Sequence, residues 1–305
     1  MTHTESNIVL FSITLCWASS YIFMKNIPNS MSTFAYLTIT TGIASIILGI
    51  VFFKRLMEFN REILLKSFLM AVILCGNLIF ERLGVASIPA STASFISSLN
   101  IVIVPIILLF FRKKPSKNNL LGIAFILAGL AFTSGIKLGR SINIGAIYMV
   151  ISCFFMASYI IAIDIYTKNC NPLLLGVGQM FFTTLIAFLL WAFDDPRTFA
   201  SIHYTKVLLA NIFLLAFFAK AYAYIMLMYS QKYANPISVT VIASTEPIVT
   251  MVLAILIPSS FGSTESFTLV KFVGALLIAF GAFCAGTNFL DKKGVKSIEG
   301  DTVSL

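Results

Sequence analysis

Apolar residues fall into ten long runs, at about 8–25, 31–53, 67–86, 89–111, 119–136, 142–165, 172–193, 207–229, 237–258 and 267–289, each bounded by charged residues or by Pro, Asn and Ser. A helix needs about 20 such residues to cross a hydrocarbon layer of about 30 Å. In lipid the backbone must satisfy its own hydrogen bonds, and runs this long and apolar do so as helices. Barrel strands would alternate apolar and polar positions and read as far more polar. The pattern predicts an all-α membrane protein with ten transmembrane helices.

Composition narrows the class. Of the 305 residues, 59% are hydrophobic and 11% charged, with a mean hydropathy of +0.96. A soluble domain carries roughly 25% charged residues, so an ordinary soluble enzyme is excluded. Ten spans use most of the chain and leave no length for a sizeable extramembrane domain. The net charge of +9 does not point to nucleic acid, because the basic residues cluster beside the apolar runs, as in cytoplasmic loops. The N-terminus, the even-numbered loops and the C-terminus carry 13 Lys and Arg, against 7 in the odd-numbered loops. That bias places both termini in the cytoplasm. The five cysteines form no CxxC pair and both histidines lie in polar segments, so neither a metal nor another cofactor is expected.

The two halves repeat one another. Pro89 and Pro236 each open a span, and the same offset carries Ser97-Ser98-Leu99-Asn100 onto Ser244-Thr245-Glu246-Pro247. Gly122 and Gly129 are spaced like Gly274 and Gly281, and Ser20-Tyr21-Ile22 matches Ser158-Tyr159-Ile160. Five spans per half is an odd number, so the second copy enters the membrane from the opposite side. Inverted repeats of this kind are a hallmark of secondary transporters, whose sites lie near the midplane. The division is residues 1–137 and 138–290 for the two five-helix repeats and 291–305 for a cytoplasmic tail.

Several of these segments resemble the EamA family of the drug/metabolite transporter superfamily. Trp17-Ala18-Ser19-Ser20-Tyr21 is similar to its first-span opening, Ala90-Ser91-Thr92-Ala93-Ser94-Phe95-Ile96 to the small-residue run of its fourth span, and Thr245-Glu246-Pro247-Ile248 to its Glu-Pro motif in the ninth. The glycine pairs match its fifth and tenth spans. The resemblance implies ten helices, cytoplasmic termini and movement of small metabolites, often amino acids, by alternating access. Where the family commonly ends its fourth and ninth spans with Glu, this chain has Phe111-Arg112-Lys113-Lys114 and Pro258-Ser259-Ser260-Phe261.

A charge inside the bilayer is costly and marks a candidate site. Lys220 and Glu246 lie deep in consecutive spans, each nine positions from the connection between them, and so share a depth. Three arrangements fit: a switchable pair in a central cavity that anchors substrate or a proton, a permanent pair that fixes helix register, or a Lys220 turned to another interface. Glu81 and Arg82 fall near the outer end of the third span. Glu81 shares a face with Asn77, which suits either a solvated helix end or the lining of an outer vestibule. Trp17 and Tyr21 are four apart on one face, Tyr159 is the repeat mate of Tyr21, and Tyr224 lies one turn from Lys220; these aromatics offer apolar area with a polar tip. The candidate substrate-binding set is therefore Glu246, Lys220, Tyr224, Trp17, Tyr21, Tyr159, Asn77 and Glu81. Pro105 and Pro247 are expected to kink their spans, and the glycine spacings to mark close helix packing.

The expected function is a secondary active transporter or exchanger of a small polar metabolite, an amino acid or related solute, with a proton or other coupling ion. There is no Walker-type motif for ATP coupling and no clustered His, Asp or Glu for catalysis, so no enzyme is expected. A membrane-embedded sensor or assembly protein is the alternative, and an enzyme acting on lipid-linked substrates a further one.

Overall fold

The computed structural model describes residues 3–111, 116–133, 143–234, 236–257 and 268–286. The expected tail, the basic clusters at 112–114 and 292–296, and the Pro258 to Phe261 segment lie outside them.

In chain order the helices are α1 (His3–Lys25), α2 (Thr33–Val51), a 3₁₀ turn (Phe53–Glu58), α3 (Arg61–Ser87), α4 (Ala90–Ser97), α5 (Asn100–Phe110), α6 (Lys117–Thr133), α7 (Ile144–Tyr166), α8 (Pro172–Asp194), the single turn α9 (Thr198–Ser201) and α10 (Lys206–Leu214). A π-helical segment (Leu215–Tyr222), α11 (Ala223–Gln231), α12 (Pro236–Ala243), α13 (Glu246–Leu256) and α14 (Leu269–Gly286) follow. Among the described residues, eight helical stretches are long and apolar enough to cross a membrane, counting α4–α5, α10–α11 and α12–α13 as one each. The helices α6 and α14 are shorter and each borders undescribed residues. The chain is a multi-pass helical membrane protein.

The polar residues that punctuate the apolar runs act as helix caps. Ser32, Asn60, Asn143, Asn171 and Thr205 each precede a helix and accept a hydrogen bond from one of its first free amides, satisfying donors that have no partner within the helix. Pro172 then occupies the first turn of α8, where its missing N–H costs nothing.

Lipid tails are as apolar as Leu, so helices associate in a membrane by close packing and polar contacts. Here α3 lies along α7 and α8, α2 along α8 and the π-helical segment, α1 against α11, α12 and α13, and α6 against α14. The α6–α14 contact is glycine to glycine. A Cβ on Gly122 would stand 2.5 Å from the Gly281 carbonyl oxygen, one on Gly281 2.7 Å from that of Gly122, and one on Gly129 2.6 Å from that of Gly274. Gly122 meets Gly281 and Gly129 meets Gly274, so the two helices run antiparallel.

Two spans expected to be continuous are interrupted. The α4–α5 span breaks at Ser98-Leu99, where the amides of Ser98 and Leu99 bond back three residues to Phe95 (3.2 Å) and Ile96 (2.9 Å). The α12–α13 span breaks at Ser244-Thr245, whose hydroxyls donate to the carbonyls of Val241 (2.6 Å) and Ile242 (2.8 Å). Such back-bonding competes with the helix ladder and bends it. This relocates the expected proline kinks. Pro247 sits in the first turn of α13, and Pro105 lies inside α5. The ring of Pro105 conflicts only with the carbonyl four residues back, at Ile101, downstream of the Ser98 break. Asn100 and Glu246 are each the first residue after an interruption.

Two basic side chains, Lys25 and Arg82, cap helix C-termini. Lys25 Nζ donates to the carbonyls of Val85 (2.9 Å), Ala86 (3.3 Å) and Ile88 (2.9 Å) at the end of α3. Arg82, on α3, donates to Met24 (3.3 Å), Ile27 (3.4 Å) and Pro28 (3.5 Å) at the end of α1 and stacks on Tyr36. Cations are favoured at helix C-termini, where carbonyls lack amide partners. The two helices therefore tie each other's ends.

Candidate functional site

A cavity of about 40 Å³ lies inside the bundle where α1, α3, α7, α10–α11 and the two interrupted spans meet. Trp17, Tyr21, Asn77, Glu81, Lys220, Tyr224 and Glu246 line it. Tyr159 does not: it packs edge-on behind Tyr224, ring centroids 5.9 Å apart, and its hydroxyl is within hydrogen-bond distance of the Gln179 amide group. Trp17 tilts against Tyr224 from the other side at 5.7 Å.

Lys220 projects from the π-helical segment, the widened stretch in the middle of its span. Such segments are rare and recur at functional positions. Its ammonium is 3% exposed. The carboxylate within ion-pair reach is Glu81, Oε2 to Nζ 3.9 Å, and Nζ also lies 5.6 Å from the centre of the Tyr224 ring. Lys220 and Glu246 thus share the cavity, but Glu81 is the ion partner. Glu81 is not a solvated helix end; its side chain is 17% exposed and turned inward. Asn77, one turn earlier, donates to Ser152 Oγ (2.8 Å) on α7.

Glu246 is buried at the break of its span. Its Oε1 accepts from Ser97 Oγ at 3.3 Å, across from the other interrupted span, and the Tyr21 hydroxyl is directed at the same carboxyl. Among the described residues no Lys, Arg or His lies within ion-pair distance of Glu246. The cavity therefore holds two carboxyl groups and one ammonium. Two further lining atoms are buried without a hydrogen-bond partner among the described residues, Trp17 Nε1, a donor, and Asn100 Oδ1, an acceptor. Leaving such atoms unpaired in a protein interior is costly.

The cavity also recruits residues that the sequence did not single out: Asn100 and small hydroxyl residues, Ser97 and Ser244 among them. An Asn inside an apolar run was a readable signal. Hydroxyls were not, because a Ser in a helix commonly bonds its own carbonyls. As for size, about one water fits per 10–15 Å³ measured in this way. The cavity holds about three waters in this conformation, well short of the roughly 300 Å³ of a small-molecule site.

Fold and cavity together define a polytopic helical membrane protein whose polar groups converge inside the bundle. The chain belongs to the EamA-like transporter family, whose model matches residues 5–135 and 143–287. It is similar to an uncharacterized transporter of Archaeoglobus fulgidus, 27% identical over 276 residues that span 90% of this chain and 83% of that protein. A crystal structure of another protein matches with a TM-score of 0.67 at 14% identity, over 93% of this chain and 96% of that one. At that identity the likeness is one of fold.

Proposed function

We propose that this chain is a secondary transporter or exchanger of a small polar metabolite, an amino acid or a related solute, working across the cytoplasmic membrane with both termini inside. The observation that carries this reading is the unbalanced charge of the central cavity. Lys220 answers Glu81, and among the described residues Glu246 has no cation of its own. An uncompensated buried carboxylate is expensive, and a proton or a substrate ammonium group relieves it. Asn100 Oδ1 adds an acceptor for the same ammonium, while Trp17 Nε1 and Lys220 offer donors to a carboxylate. The pattern suits a zwitterion.

The architecture we infer is ten helices in two inverted repeats, 1–137 and 138–290. The family model matches in two segments that follow this division, and the two interrupted spans break at corresponding places. The packing also survives exchanging the halves: α3 on α7 corresponds to α11 on α1, and α4–α5 on α7 to α12–α13 on α1. The α2–α8 and α6–α14 contacts map onto themselves. Aligned on their breaks, one residue off the sequence register that pairs Leu99 with Glu246, Asn100 is the mate of Glu246, so one repeat supplies a neutral amide where the other supplies an acid.

Counterflow in proteoliposomes tests the reading, with pools of labelled amino acids and related metabolites, for the wild type and Glu246→Gln. Saturable exchange of one class, altered in the variant, is the expected result. Exchange unchanged in the variant removes Glu246 from the mechanism. No exchange in any pool by folded protein refutes transport of these classes.

A further inference from the structure

A second cleft, of about 450 Å³, lies away from the central cavity, on the face where α1 begins. Arg55 enters it from the 3₁₀ turn, Lys168, Asn169 and Asn171 from the α7–α8 connection, and Tyr229 and Lys232 from the end of α11. Three connections distant in sequence thus bring three cations to one place, and no Asp or Glu is among the described lining residues. Lys168 is held by Asp164 at 3.2 Å. Among the described residues, no carboxylate lies within ion-pair distance of Arg55 or Lys232. The positive end of the α8 dipole opens into the same cleft. The arrangement asks for an anion.

The surroundings identify its source. The 3₁₀ turn that carries Arg55 exposes Phe53 (71%) and Met57 (92%). Large apolar side chains alternating with Lys54 and Arg55 form the pattern of a segment lying in a membrane interface. Tyr229 pairs with Tyr233, ring centroids 5.9 Å apart, at the level where interfacial aromatics gather. The cleft thus opens where lipid headgroups lie. Basic pockets of this kind between membrane helices suit anionic headgroups.

We propose that this cleft binds the phosphate of an anionic phospholipid headgroup, with Arg55 and Lys232 as its principal ligands and Lys168 as a shared third. The site is independent of substrate transport, and its test does not read transport.

The test is native mass spectrometry of the full chain after equilibration with mixed phosphatidylglycerol and phosphatidylcholine. It compares the wild type with Arg55→Gln/Lys232→Gln and with Lys54→Gln/Arg61→Gln. The second pair removes the same charge from the same face but does not line the cleft, and gel filtration and thermal melting verify that both variants fold. The wild type is expected to retain phosphatidylglycerol selectively, and the cleft variant to lose that preference by roughly 25-fold, about fivefold for each charge removed. The control is expected to stay near the wild type. Equal losses in both variants would mean diffuse surface attraction and overturn the proposal, as would unchanged retention in the cleft variant. Stabilisation of the solubilised protein by inorganic phosphate as strong as that by a short-chain phosphatidylglycerol would assign the cleft to a free anion and overturn the lipid.

Discussion

Replacing Glu81 with Gln removes the carboxylate that faces Lys220 and leaves an ammonium 3% exposed. At 3.9 Å and an effective dielectric constant of about 20, the attraction is about 4 kcal/mol. That agrees with the roughly 3–5 kcal/mol measured when one member of a buried pair is deleted and the other stays charged. Glu81 keeps 17% of its side chain exposed, so solvent screens part of this, and Glu81→Gln is expected to destabilise the chain by about 3 kcal/mol. Adding Lys220→Met removes the stranded charge and should recover most of that loss. Glu246→Gln should behave differently. The new amide oxygen still accepts from Ser97 and no cation is stranded, so the expected change is under about 1 kcal/mol. Equilibrium unfolding in mixed micelles, read as a double-mutant cycle, separates the cases. If Lys220→Met rescues Glu246→Gln and not Glu81→Gln, the pairing described here is wrong.

Gly122→Ala and Gly281→Ala should each cost about 1–3 kcal/mol by overpacking, seen as a lower melting temperature. The double variant should fall well short of the sum, because one separation of α6 from α14 clears both methyl groups; additive losses would refute the shared contact. Asn100→Ala should leave melting unchanged or raise it, since Oδ1 is buried with no partner among the described residues, and weaken apparent substrate affinity in counterflow about tenfold, the worth of one hydrogen bond to a charged group. Arg82→Met strands three carbonyls and should destabilise by about 2–3 kcal/mol. Arg82→Lys should not restore this, because a single ammonium cannot span all three and also stack on Tyr36.

Much of the bundle was legible because lipid makes the rules strict. Long apolar runs have few alternatives to helix, and the Asn, Ser and Thr residues that interrupt them are the side chains that cap helices. The glycine pairs could be read as packing sites because only a missing side chain permits that approach. The polar cavity was partly legible for the same reason: Lys220, Glu246 and Asn77 cannot face lipid, so they turn inward. Their pairing was not. Counting residues from a shared connection gives depth but not direction, and the π-helical segment that carries Lys220 departs from the regular turn on which a face assignment rests. The end of the run at about 86 matches the end of α3 at Ser87; what a helix-end position does not reveal is that the Glu81 side chain turns inward to Lys220. The two breaks carry little sequence signal, because a Ser or Thr inside a helix commonly bonds its own carbonyls without ending it.

On the transport reading, a cavity with room for about three waters must widen before it admits a metabolite, and the two ends of the bundle resist this unequally. At the end where α1 and α3 terminate, Lys25 and Arg82 reach six backbone carbonyls between them. Hydrogen bonds with a charged partner contribute about 1.5–3 kcal/mol each. At the opposite end the links from α11 to its neighbours α1 and α7 are neutral: Ser6 Oγ donates to Ser230 O at 3.0 Å, and Gln231 Nε2 to Ile160 O, while Lys66 ties α3 to Cys170 Sγ (3.4 Å) and the Tyr166 ring. Neutral bonds contribute about 0.5–1.5 kcal/mol. The contacts of α1 are therefore easier to part at its start than at its end. The interruptions at Ser98 and Ser244 set Asn100 and Glu246 at bends in their spans rather than within rigid rods. A bend there lets one half of each span swing while the other stays packed, so the groups that hold the guest are also the ones that the motion rearranges.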